Sequence, residues 1–287
     1  TLALMLGAHA ADQMENFELR DRYLHEIEQL PQKQQLSRHL LLAESALSRR
    51  DYPTAAQNLE AAAKINSNLS RLVRLQLRYA FDHGDAADVL AKAEKLVKAG
   101  AINDYEAEQY QNWAYRRLLS EVTDARSLKA CLKHIPESLK SGELCVAIAE
   151  KYERLGLYAD AVKWVKTHYP QTRQPELLEA FVESVRFLSE REQQKAIDLA
   201  DSWLQEQPDN APLLMYLGQL AYGRKLWGKA QGYLEASIAL QPSVSAHLVL
   251  ARVFDETDQP QKAQEQRNLV LESVAEEEHP AALPQSN

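Results

Sequence analysis

The chain has 287 residues, 45% of them hydrophobic and 26% charged, with only 9 glycines, so helix formers dominate and a sheet-built fold is excluded in favour of an all-α one. Its formal charge of −8 argues against a phosphate-backbone partner, because nucleic-acid affinity comes largely from Lys and Arg neutralising phosphates. Cys131 and Cys145 are the only cysteines, lie outside any CxxC spacing, and are too few for a disulfide framework, which points to a reducing compartment.

Along the chain, the apolar opening from Thr1 to Ala8 falls far short of the roughly 20 residues that span a bilayer. Opening on Thr1 rather than Met leads us to expect an upstream segment, left out or removed by processing. A first helical hairpin is marked by Leu42, Ala43, Ala46, Tyr52, Ala55, Leu59 and Ala62. From residue 70 to 136 helical periodicity persists in Leu72, Leu75 and Tyr79, in Val89, Ala93 and Leu96, and in Trp113 and Leu118. The repeat motif is lost there, so degenerate hairpins are expected. Asn103 with Glu106, and later Ser189 with Glu192, have the spacing of a capping box and predict helix starts.

The segment from Pro136 to Gly142 is read as a joint, which divides the chain into 1–136, a more regular 137–279, and a disordered tail, 280–287. Beyond the joint a hairpin carries Ile148, Ala149, Tyr152, Gly156, Tyr158 and Ala161. The clearest unit follows from Ala211 to Pro242, where Leu214, Leu217, Gly218, Ala230 and Pro242 occupy consensus positions of the tetratricopeptide (TPR) repeat. Gly218 and Ala230 are small where two helix axes must approach, and Pro242 stops the second helix. Ala196 and Pro208 stand 34 residues before Ala230 and Pro242, the TPR period. Leu250, Ala251, Phe254 and Ala263 begin a last unit that ends in Glu276, Glu277 and Glu278, as suits a solvated capping helix. The expected architecture is a right-handed α-α superhelix of TPR-like helical hairpins.

Catalytic signals fail on inspection. Gly218 and Gly223, followed by Arg224 and Lys225, resemble a phosphate-binding loop, yet lack the Lys-Ser/Thr ending and fall inside a repeat helix. None of the 8 His forms the i, i+4 pair that would put two zinc ligands on one helix face. Carboxylate pairs such as Glu150 with Glu153 read as solvated helix surface. The Asn68-Leu69-Ser70 sequon has no secretory context. No catalytic residue, metal or cofactor is expected.

Binding is the remaining function. In a TPR stack the first helix of each hairpin lines the inner side. The consensus register places Glu150, Glu153 and Arg154, then Phe181 and Val185, then Met215, Gln219 and Tyr222, then Arg252 and Asp255 there. Such a mixed groove, with an exposed Phe, Met and Tyr, suits a protein segment or extended peptide. The competing reading is that some of these residues pack against the neighbouring hairpin.

The run from Leu213 to Gln219 with Trp227, Ala230, Ala236 and Pro242, taken with Leu40 to Glu44 and Leu72 to Leu77, resembles the proteobacterial HemY family of TPR proteins. That resemblance implies an inner-membrane protein encoded among porphyrin-biosynthesis genes, with paired N-terminal membrane helices ahead of a cytoplasmic TPR domain. This chain would be that domain, a scaffold for enzymes of the haem pathway with no catalysis of its own. Two other readings stand beside it: direct binding of haem or porphyrin by His and aromatic residues between hairpins, and a self-associating homo-oligomeric module.

Overall fold

The computed structural model describes residues 2–29 and 31–278, so the predicted tail at 280–287 lies outside the described residues. Among them there are 17 helices and no strand. Packing separates two units, the first ending at Val122 and the second beginning at Thr123. This division falls upstream of the segment read as a joint. There, Glu137–Ser141 forms a short helix that buries Leu139.

The first unit comprises α1 (Leu2–Gln13), α2 (Phe17–Glu28), α3 (Gln32–Ser48), α4 (Tyr52–Asn66), α5 (Ser70–His83), α6 (Ala86–Lys98) and α7 (Asp104–Glu121). Antiparallel pairs α1/α2, α3/α4 and α5/α6 follow one another, and α7 packs on α6. Their starts are specified locally. Asn16, Asp51, Asp85 and Asn103 each accept a hydrogen bond from the backbone N–H three residues on, which satisfies a donor the helix itself leaves open. Gly84, at φ 74°, ends α5 in the left-handed conformation that costs a glycine little. Leu72, Val89, Ala93 and Leu96, from the stretch read as degenerate, are fully buried. One polar knot ties the first three helices: the buried Arg20 guanidinium donates to Asp12 at 3.0 Å, and Ser45 Oγ donates to the same carboxylate oxygen at 2.7 Å.

The second unit comprises α8 (Ala125–His134), α9 (Glu137–Ser141), α10 (Cys145–Arg154), α11 (Tyr158–Thr172), α12 (Glu176–Val185), α13 (Glu190–Glu206), α14 (Ala211–Gly223), α15 (Trp227–Leu240), α16 (Val244–Glu256) and α17 (Pro260–Glu278). Successive hairpins are α10/α11, α12/α13, α14/α15 and α16/α17. Ser189 and Glu192 do cap α13, the Glu192 carboxylate accepting from the Ser189 N–H at 3.1 Å. In the Ala211–Pro242 repeat the consensus positions behave as their chemistry requires. Leu217 and Ala230 are fully buried, and a Cβ on Gly218 would fall 2.5 Å from Leu234 Cγ, so any larger residue there must displace the Leu234 side chain. Tyr169, Phe181 and Trp203 anchor a core spanning α10 to α14, the Phe181 and Trp203 rings lying 5.4 Å apart. These hairpins make the protein an all-α array of TPR-like repeats.

Candidate functional site

In the second unit the first helices of successive hairpins pack on one another: α10 on α12, α12 on α14, α14 on α16. Their remaining sides form a continuous face, and its character follows from which residues the packing leaves over. On α12, Leu177, Leu178, Ala180, Phe181, Val182, Ser184 and Val185 are all buried. What remains is Glu176, Glu179 and Glu183, spaced as one helix face.

Phe181 and Val185, expected in the groove, are only 1% and 2% exposed. They belong to the core because α12 is enclosed by its neighbours and must cover Tyr169 and Trp203. The expected exposed Phe is thereby replaced with carboxylates. Tyr222 is tied to its own hairpin turn, its ring 5.4 Å from that of Trp227, and Asp255 pairs with Arg267 of α17. Arg252 is exposed. Glu150, Glu153 and Arg154 lie together on α10, with Arg154 reaching Glu150 at 3.2 Å. Gln219 donates to the Met215 sulfur at 3.0 Å and borders a cleft of about 90 Å³ with Val185 and Arg224.

Met215 lines a larger cavity of about 270 Å³, with Glu176 and Glu179 of α12, Tyr216 of α14 and Ser237 of α15 around it. Glu176, Glu179, Glu183 and Tyr216 were not among the expected groove residues. The signal for the carboxylates was present in the sequence: Glu176, Glu179 and Glu183 fall on one side of the helix, opposite Phe181 and Val185.

The electrostatics are those of crowded negative charge. Burial holds Glu153 above the usual carboxylate range, and Glu183, Glu150 and Glu179 push it the same way, with only Arg154 opposing. Burial, then Glu179, Glu176 and Glu183, drive the Tyr216 phenol up to about 12. Glu179 and Glu183 thus act on both α10 and α14. Since ionised Glu153 disfavours the folded chain, Glu153→Gln raises the melting temperature at pH 7. The gain disappears below the ordinary carboxylate range, where both states hold the proton. Calorimetric scans at pH 7 and pH 3.5 check this; equal shifts at both pH values contradict it.

Elsewhere the chemistry is quiet. Cys131 and Cys145 are free, and burial pushes the Cys145 thiol up to about 11, leaving it a weak nucleophile. His39 pairs with Asn58 at 2.9 Å, His168 stacks on Trp164, and His247 pairs with Gln266 at 2.7 Å, each within its own hairpin. Among the described residues no group of three or more His, Cys, Asp or Glu could hold a metal ion, and no helix is long and apolar enough to cross a membrane.

No family model matches the sequence, and no curated protein matches it. Among solved structures, the chain is similar to MamA protein at 16% identity and a TM-score of 0.38, over 75% of this chain and 97% of that one. It is similar to yeast Tom70 at 12% identity and a TM-score of 0.37, over 97% and 69% of the two chains. The TPR domain of P58(IPK) matches at 19% identity and a TM-score of 0.31, over 91% and 80%. At such scores the repeat assignment rests on the chain's own hairpins.

Proposed function

We propose that the chain is a protein-interaction scaffold whose second unit holds a segment of another protein along the face made by α10, α12 and α14. One observation carries this: side chains of the first helices α12 and α14, with Ser237 and Gln241 beyond them, line an open cavity of about 270 Å³. A surface assembled from successive repeats reads an extended partner better than a small polar substrate, which needs an enclosed site with converging polar groups.

The finer reading follows from the residues that resemble the HemY family. The partner is then an enzyme of haem synthesis, the setting is the bacterial inner membrane with this unit on the cytoplasmic side, and the chain contributes no catalysis of its own. Its support is the run from Leu213 to Gln219 and the Leu-rich helices of the first unit.

A photo-crosslinking amino acid at Gln219, on the inner side, is expected to give a discrete adduct in cells, while the same group at Lys229 on α15 gives none. Equal adducts from both positions contradict the face assignment. Mass spectrometry of the adduct then tests the finer reading: an enzyme acting on a tetrapyrrole supports it, and a protein unrelated to porphyrins removes it.

A further inference from the structure

The face just described has a sign. Glu153, Glu176 and Glu179 form no side-chain hydrogen bond or ion pair among the described residues, whereas the nearby cations Arg154 and Arg186 are each engaged by a carboxylate, Glu150 and Glu183. Glu176 and Glu179 of α12 therefore line the cavity with no cation paired to either, and Glu179 also acts on Glu153 of α10. That cavity, at about 270 Å³, is smaller than the roughly 300–1,000 Å³ typical of ligand sites. Met215 and Tyr216 give it apolar walls, so it suits one side chain of a longer segment.

We infer that the occupant is a basic peptide segment of a partner protein, with two or more Lys or Arg side chains against Glu153, Glu176 and Glu179 and one Leu, Phe or Tyr in the cavity. The inference rests on the scaffold reading above. Charge complementarity selects the partner: nucleic acid and anionic membrane are repelled by such a face, and an acidic segment would add to the crowding already felt by Glu153.

The test pans a random peptide-display library against the full chain and reads the enriched sequences. The expected enrichment is for Lys and Arg around a single aromatic or Leu. A fluorescein-labelled copy of the leading peptide then binds with affinity reduced about tenfold or more by the triple variant Glu153→Gln, Glu176→Gln, Glu179→Gln. Raising salt from about 0.1 M to about 1 M, which shortens the screening length from roughly 10 Å to roughly 3 Å, weakens it similarly. Met215→Trp, which fills the cavity without altering charge, also weakens binding; circular dichroism checks that each variant is folded. Enriched peptides that lack basic residues yet lose binding to Met215→Trp overturn the charge assignment and leave the scaffold reading standing. No enrichment, or enrichment insensitive to both variants, overturns the two together.

Discussion

Phe181→Ala lowers the stability of the second unit by about 3–5 kcal/mol, the usual cost of emptying a buried aromatic site. Phe181 is 1% exposed and its ring lies 5.4 Å from that of Trp203. Truncation leaves a hole among α11, α12 and α13 that well-packed neighbours close only in part. Urea unfolding followed by tryptophan fluorescence measures the loss, and Trp203 places the reporter beside the cavity. Were Phe181 a groove residue, as the repeat consensus suggests, the change would fall within about 0.5 kcal/mol, the range of ordinary surface substitutions.

Gly218→Leu is the second large effect. A Cβ at Gly218 meets Leu234 Cγ at 2.5 Å and Cδ2 at 2.7 Å, and Leu234 is itself fully buried. Overpacking of this kind costs about 1–3 kcal/mol or more. Removing a helical glycine returns roughly 1 kcal/mol of propensity. Gly218→Ala should therefore be mildly destabilising and Gly218→Leu strongly so, by about 3 kcal/mol, because the larger side chain forces α14 and α15 apart. The pair of variants, compared by thermal melting, separates a close helix crossing from a simple cap or turn role. A neutral Gly218→Leu would mean that the two helices do not meet where the repeat pattern puts them.

Much of the architecture was legible because each repeat states its geometry locally. Gly218, Ala230 and Pro242 specify a close crossing and a stop within one hairpin, and the structure obeys them. The Asn103 and Ser189 helix starts were legible for the same reason, since a cap concerns only three or four residues. In contrast, the Asp124 cap of α8, where Asp124 accepts from the Ser127 N–H at 2.9 Å, escaped notice because Ser127 replaces the usual Glu or Gln.

The site was harder to read, for a physical reason. A consensus register assumes that every first helix presents the same side to its neighbours. α12 does not, because α10, α11, α13 and α14 share one core with it, and its apolar residues extend over most of its circumference. Transferring the register from α14 therefore placed Phe181 and Val185 outward, while the helix's own periodicity leaves Glu176, Glu179 and Glu183 outside. On α14, Met215 lines the cavity. Asp255 is exposed, and its partner Arg267 lies on the following helix, an ion pair that no local pattern announces.

Hydrogen exchange read by mass spectrometry, on the chain alone and with the protein captured through Gln219, decides whether the inner side of the repeats is where recognition happens. The expected result is added protection in Cys145–Arg154, Glu176–Val185 and Ala211–Gly223, with Glu190–Glu206 and Trp227–Leu240 unchanged. Protection confined to those two second helices, with the first helices unaltered, would contradict it.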